Sequence, residues 1–514
     1  MAARQAAPRP SSSSRQRNSR EVFAKGFRVS FRQGLGAVEE LTGPEKDSNL
    51  KPAVESDVDR LLASMRASVA AMRVPQIGDR KKKLRALLAT VMARRPEIRE
   101  AMRLDFGKRP SEVDLSEIYP VVREIKHALR RLDGWARPRK VATPLPLIGT
   151  RSEIRYEPKG VVLVIAPWNF PFNLTLGPLV SALAAGNRVI VKPSELASES
   201  SACIRRIVEE TFDPNEVAVV EGGSTVAEDL VSRPFDHIFF TGSSRVGRKV
   251  MAAAAGNLTS VTLELGGKSP AIVDSSADLR DAAEKIVWGK FLNAGQTCIA
   301  PDYVLVQDAI RAGLVVELSQ AVEKLFRVDG TASIVSEDHY RRLRRLYDEA
   351  SQAGAVTVTG GRWSDESRWF ASTVLSDVPA TAKLLTEEIF GPILPVIGYG
   401  QIDDAIHYVR ERPTPLALYV FSRDAQTTER VLLGTPAGGT CVNDVLVHYF
   451  HLEVPFGGAG TSGMGRAHGF FGFEAFSHAR AVVRRGAGIS LTRMLYPPYT
   501  RRVRALIDLA IRWL

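Results

Sequence analysis

The chain has 514 residues, 45% hydrophobic and 25% charged, an ordinary globular composition with length enough for two or three packed units. Its three cysteines, Cys203, Cys298 and Cys441, are odd in number and far apart, which argues against a disulfide framework and for a reducing cytoplasm. The net charge of +12 sits at the two ends, with eight Lys/Arg against one acid in residues 1–38 and seven Arg against one acid in 484–514, so the near-neutral body gives no sign of a nucleic-acid module.

Residues 1–50, rich in Arg, Ser and Ala, show no helical or strand period over most of their length and are expected to form a disordered basic extension. A transit peptide would share this composition; an unstructured extension is the simpler reading. No stretch approaches the roughly 20 apolar residues that cross a bilayer. Order is expected to begin near Ser56, a suitable N-cap, because Val58, Leu61, Leu62, Met65 and Val69 share one helical face. Leu84, Leu87, Leu88 and Val91 make a second stripe.

Beyond these the pattern changes. Short Val/Ile runs at Val161–Ile165, Val189–Val191, Val217–Val220, Ile238–Phe240 and Val261–Leu263 alternate with helical lengths at Leu174–Ala185, Ser200–Thr211 and Val246–Ala255. Strands alternating with helices predict an α/β fold with a parallel sheet, whose ligands bind beyond the carboxyl ends of the strands. That rule marks Pro167–Phe172, Lys192–Glu195, Glu221–Gly223 and Thr241–Gly247 as one rim. A second alternating region runs from about Gly267 to Gly434, followed by a Gly-rich segment from Gly438 to Gly472.

Five segments carry candidate chemistry, each with a plainer structural alternative. Cys298 follows a Gly-containing turn and is either a nucleophile or buried filler. Glu264 leads into Gly266-Gly267 at a strand end, where burial would raise its pKa towards that of a general base; a surface Glu before a turn is the alternative. Asn169 stands between Pro167 and Pro171 in a stiff loop that would fix its amide as a donor, although such loops are often only structural. Gly242, Ser243 and Gly247 join a strand to a helix and would let backbone N–H groups reach a phosphate, or merely make a tight turn. Lys192 and Glu195 offer a cation and an acid for ribose hydroxyls, or a solvated pair.

In this order the segments resemble the aldehyde dehydrogenase superfamily. The resemblance rests on PWNFP (167–171), KPSE (192–195), FTGSSRVG (240–247), ELGGK (264–268), NAGQTCIAPDYV (293–304), EEIFGP (387–392) and PFGGAGTSGMG (455–465), and spans roughly residues 56–486. VNDVLVH (442–448), GFEAFSH (472–478) and YPPY (496–499) are similar to the class 3 branch of fatty and aromatic aldehyde dehydrogenases. The stretch from Tyr156 to Ala185 resembles bacterial coniferyl aldehyde dehydrogenases.

The resemblance implies a Rossmann-like cofactor domain at 51–139 and 158–264, a second α/β catalytic domain at 265–465, and a small β oligomerisation flap at 140–157 and 479–486. It implies Cys298 as nucleophile, Asn169 and the Cys298 backbone N–H as oxyanion donors, and Glu264 as the base that hydrolyses a thioester. Lys192 and Glu195 would hold the adenosine ribose, Gly242 to Gly247 with Ser243 the pyrophosphate, Glu388 the nicotinamide ribose, and Phe390 would pack beside the ring. NAD is the implied cofactor, since an acid near the 2′-hydroxyl repels a 2′-phosphate; relatives often accept NADP as well. No metal is implied, and the implied assembly is a homodimer.

At the C-terminus, Val503, Leu506, Ile507, Ala510, Ile511 and Leu514 fall on one helical face beside Arg501, Arg502, Arg504 and Arg512. Such a basic amphipathic helix, over residues 500–514, is expected to lie on an anionic membrane, to cap the substrate tunnel, or to pack on a partner subunit. His448, Tyr449, Phe450 and His451 are expected to line an entrance suited to a bulky apolar aldehyde. A CoA-acylating relative would lack the Glu264 base, and a silent structural protein would not need Cys298, Asn169, Glu264 and Glu388 together.

Overall fold

The computed structural model describes residues 57–71, 74–144, 147–326, 332–486 and 496–513. The extension expected over residues 1–50 lies outside them, as do Ser56 and Leu514. The first helical stripe forms Asp57–Ala71, with Leu62 and Met65 buried, and the second forms Ile77–Ala93, with Leu84, Leu87 and Val91 buried. Two further amphipathic helices follow at Arg95–Phe106, burying Ile98, Ala101, Met102 and Phe106, and at Tyr119–Trp135, burying Val121, Ile125, Ala128 and Leu132.

The alternating region builds a six-stranded sheet in the order Gly463–Met464, Ser260–Glu264, His237–Thr241, Val161–Ile165, Arg188–Lys192, Val217–Val219. All pairings are parallel except that of Gly463–Met464, which returns from far along the chain and runs antiparallel beside Glu264. Every residue of Val161–Ile165 is buried, as continuous Val/Ile runs require when helices cover both faces. The covering helices include Asn173–Ala185, Ser198–Thr211 and Ser244–Ala255.

A second sheet of seven strands runs Val356–Thr359, Thr373–Ser376, Ile393–Tyr399, Tyr303–Gln307, Pro270–Val273, Ala417–Phe421, Gly439–Val442, parallel except at its first pair. A third sheet holds Arg139–Val141, Thr150–Pro158 and Ser477–Arg485, all antiparallel and largely exposed. One apolar cluster joins residues of the first two sheets, from Val162 and Val189 to Val304 and Tyr419, so the loops at their facing ends are held against a common core. Among the described residues no helix is long and apolar enough to cross a membrane.

Candidate active site

Glu264 is the last residue of its strand and is fixed on both sides. Its carbonyl accepts the Gly242 N–H at 3.0 Å, and Gly463 is its register partner on the returning strand. The side chain is buried, and neither carboxylate oxygen has a hydrogen-bond partner. Burial holds its pKa well above the usual carboxylate range, with Arg466 opposing weakly. A carboxylate kept this dry and without a hydrogen-bond partner is costly, which marks it as a candidate functional group.

Cys298 is reached through a left-handed turn. The helix Leu279–Phe291 ends, and Asn293 (φ 55°), Ala294 (φ 51°) and Gly295 (φ 72°) follow in sequence. Two non-glycine residues in this region store backbone strain, so neighbours must hold them. They do: the Asn293 N–H donates to Glu112 Oε1 at 3.0 Å, and its side-chain amide donates to the carbonyls of Asn169 at 2.9 Å and Gln296 at 3.1 Å. Gln296 is fully buried and ties the turn to Ser333 and Val335 at 3.1 and 3.0 Å. The Tyr419 hydroxyl donates to the Ile299 carbonyl at 2.5 Å on the other side.

Burial, then the charges of Glu388 and Glu264, push the Cys298 thiol up to about 12. The resting sulfur is therefore protonated, and attack requires a base. Cys298 and Glu264 line the same cavity, with Leu174, Phe239, Leu265, Tyr449, Phe456 and His468 among its walls. Asn169 is buried next to the turn that carries Cys298, and its amide nitrogen donates to the Gln296 carbonyl at 3.0 Å. An amide nitrogen carries two hydrogens, so one is left for a substrate oxygen.

Of the four residues expected at the entrance, Tyr449 lines the cavity, and Phe450 and His451 lie further out with Arg123, His127 and Leu452. His448 does not join them. Its Nδ1 lies 3.0 Å from Cys441 Sγ and its ring packs against Tyr419 and Phe456, because the short helix Val447–Phe450 turns successive side chains in different directions.

The sites expected for a cofactor lie on the strand-end rim. Lys192 ends its strand, buried, with Nζ 2.8 Å from the exposed Glu195 carboxylate and 3.0 Å from the Pro193 carbonyl. Ser243 caps Ser244–Ala255, its hydroxyl accepting the Val246 N–H at 3.3 Å. A Cβ on Gly247 would come within 2.7 Å of Leu265, and one on Gly242 within 2.6 Å of Phe240, so both glycines are needed for the close approach of helix to sheet. Glu388 is half-buried, its pKa raised to about 7 by burial and by Asp302, and Gly266 leaves the room its carboxylate fills. Phe390 (φ 49°) meets Trp168 edge-on at 5.3 Å.

This arrangement of thiol and dry carboxylate in one apolar cavity, with a fixed amide held to the nucleophile's turn, accords with the match of the aldehyde dehydrogenase family profile to residues 45–482. The chain belongs to the aldehyde dehydrogenase family. As a member it is an oxidoreductase acting on aldehydes. The 4,4'-diaponeurosporen-aldehyde dehydrogenase of Staphylococcus aureus is 42% identical over 432 residues, 82% of this chain and 92% of that protein. A protein named probable coniferyl aldehyde dehydrogenase, from Pseudomonas aeruginosa, is 42% identical over 458 residues, 88% of this chain and 96% of that one. Among solved structures, the substrate-bound state of Staphylococcus aureus AldH superposes with a TM-score of 0.85 at 38% identity, covering 88% of this chain and all of that one. The α/β aldehyde dehydrogenase fold expected from the motifs is thereby established.

Sequence reasoning missed the supports of the site. Glu112 and Glu117, on short helical segments, and Lys108, in the loop before them, lie far from Cys298 in the chain and belong to no motif.

Proposed function

We propose that the chain oxidises a hydrophobic aldehyde, aliphatic or aromatic, to its carboxylic acid, with NAD as the preferred acceptor and NADP as the second. The observation that carries this reading is the apolar cavity in which Cys298 and the unpartnered Glu264 meet. The coniferyl and diaponeurosporen names of relatives support a bulky apolar substrate.

Cys298 gives up its proton to a base in the cavity, for which Glu264 is positioned, and its sulfur attacks the carbonyl to form a thiohemiacetal. The free Asn169 N–H and the Cys298 backbone N–H meet the charge that develops on oxygen. When bound, the nicotinamide supplies a hydride acceptor, and the acyl group is then left on sulfur as a thioester. Glu264, once it has released the thiol's proton to solvent, draws a proton from water, whose oxygen attacks the thioester; the acid is freed and the sulfur leaves as thiolate. Lys192 and Glu195 suit the adenosine ribose, the turn Gly242–Gly247 with Ser243 the pyrophosphate, and Glu388 and Phe390 the nicotinamide end. The room left by Gly242 and Gly247, and a carboxylate at Glu195 that disfavours a 2′-phosphate, fit that cofactor.

On this reading residues 51–139 and 158–264 bind cofactor, 265–465 carry the nucleophile, and 140–157 with 479–486 form the flap of a homodimer. The exposed antiparallel sheet supports that use, since an uncovered sheet edge invites pairing. The C-terminal helix Arg501–Trp513 is proposed to touch anionic membrane from a cytoplasmic setting: Leu506, Ala510 and Ile511 are exposed, and Val503 and Ile507 are only half-buried.

Initial rates over aldehydes of increasing alkyl length and a set of aromatic ones, with NAD and NADP in parallel, test the reading. Each added methylene that enters the cavity should lower KM, by up to about 0.8 kcal/mol of binding. Equal rates for acetaldehyde and long-chain aldehydes, or NADH production by Cys298→Ala, would overturn it.

A further inference from the structure

Two charged groups with no part in that chemistry lie wholly inside the protein. Lys108 Nζ and Glu117 Oε1 are 3.2 Å apart, and both side chains have no solvent exposure. A buried ion pair is costly and is weak evidence for stability in itself. Its remaining bonds show where it acts. Lys108 Nζ donates to the Asn169 carbonyl at 3.3 Å and lies 4.6 Å from the Phe170 ring centroid. Glu117 Oε2 accepts the Asn173 N–H at 3.0 Å. One ion pair thus grips both ends of the loop 169–173, between the strand Val161–Ile165 and the helix Asn173–Ala185.

The backbone is adapted to this. Residues Asp114–Ile118 form a single π-helical turn, a rare insertion that re-aims side chains and recurs at functional sites. Glu117 and Ser116 on it both reach the loop, the Ser116 carbonyl accepting the Asn173 side-chain amide at 3.1 Å. On the far side Asn293 holds the same Asn169 carbonyl. The carbonyl of Asn169 is therefore pinned from two directions, while its amide keeps one N–H on Gln296.

We propose that the Lys108–Glu117 pair is a positioning device for the oxyanion site, clamping the loop 169–173 so that the second Asn169 N–H stays aimed at the substrate oxygen. This rests on the role given to Asn169 above. Lys108 and Glu117 are positioning residues, acting through Asn169 without touching substrate.

A double-mutant cycle on the full chain tests it. Lys108→Met should lower kcat about 10- to 100-fold, within the 10²–10³-fold that one oxyanion donor is worth, with aldehyde KM within about threefold. Lys108→Arg, which keeps a donor, should restore part of the loss. In an Asn169→Ala background Lys108→Met should cost less than about twofold more, because the group it aims is gone. A folded Lys108→Met protein with full kcat overturns the proposal, and so does an equal fractional loss in the Asn169→Ala background. Should Lys108→Met not fold, Glu117→Gln, which keeps an oxygen for the Asn173 N–H, carries the same cycle. If Asn169→Ala alone leaves kcat unchanged, the role of Asn169 falls first and the clamp with it.

Discussion

The Cys298 thiol and the Glu264 carboxyl open into one cavity, and the charge of Glu264 disfavours ionisation of the thiol. Burial is the larger reason that the thiol is pushed up to about 12, and the charges of Glu388 and Glu264 add to it. Glu264→Gln removes one of those charges. Alkylation of Cys298 by iodoacetamide, followed against pH, should then show its midpoint moved to lower pH. Turnover should fail in the opposite sense, because no base is left to hydrolyse the thioester. Stopped-flow NADH formation should show no full burst, since the base that frees the thiolate is lost as well, and steady-state kcat should fall about 10²–10⁴-fold. An alkylation midpoint that stays in place, or unimpaired turnover, would sink the pairing.

The same carboxylate should weaken the fold as pH rises. A carboxylate whose folded pKa is raised binds its proton more tightly when folded than when unfolded. Its contribution is whole below the unfolded value of 4.5 and is lost as pH climbs through the folded value. This is the reverse of a salt-bridged acid. Glu264→Gln should therefore melt at a higher temperature than the parent at pH 8, with the gap closing towards pH 4. Calorimetry at both pH values decides it: a gap that is absent at pH 8, or widest at pH 4, contradicts the burial of an ionised Glu264.

At the strand-to-helix turn the packing limits are equally specific. A Cβ on Gly247 would stand 2.7 Å from Leu265, which is itself buried beside Glu264. Gly247→Ala should lower stability by about 1–3 kcal/mol, the usual cost of forcing extra volume into a packed site. It should also raise KM for NAD, since the helix N-terminus moves with the turn. Adding Leu265→Ala should recover part of both losses by vacating the contested space. Full stability and an unaltered KM for Gly247→Ala would show that the turn gives more freely than its contacts imply.

How much of this was legible beforehand depends on what carries each feature. Strands such as Val161–Ile165 announce themselves because full burial on both faces demands unbroken apolar runs. Tyr119–Trp135 carries a regular stripe too, in Val121, Ile125, Ala128 and Leu132, and it was overlooked, with the buried Glu124 and His127 on the same side offering no motif. Gly463–Met464 is a two-residue strand defined only by its partner, Ser260–Glu264, nearly 200 residues earlier, and no local pattern marks it. Cys298, Glu264 and Asn169 were legible as ordered motifs. Lys108 and Glu117 were not, because two charges nine residues apart look like solvated surface until the fold pairs them inside, Glu117 from a π-turn and Lys108 from the loop before it. His448 was expected at the entrance from its neighbours, but backbone direction over a four-residue helix decides which way a ring points.

The C-terminal helix yields the last prediction. Arg501–Trp513 displays Leu506, Ala510 and Ile511 of its apolar face to solvent, with Ile511 76% exposed, beside Arg501, Arg502, Arg504 and Arg512. An uncovered apolar face flanked by cations suits an anionic membrane, where each Arg is worth about 1 kcal/mol, or roughly fivefold in binding. A chain ending at Tyr499 should stop co-sedimenting with phosphatidylserine-containing vesicles, while its kcat/KM for a short soluble aldehyde stays within about twofold of the parent. Binding by the parent should weaken in high salt, because exposed charges are screened within about 10 Å at 0.1 M. If truncation instead lowers activity on the short aldehyde and leaves vesicle binding alone, the helix closes the channel rather than reaching a membrane. If the native mass drops on truncation, it packs on a partner subunit, and the exposed apolar face is the contact.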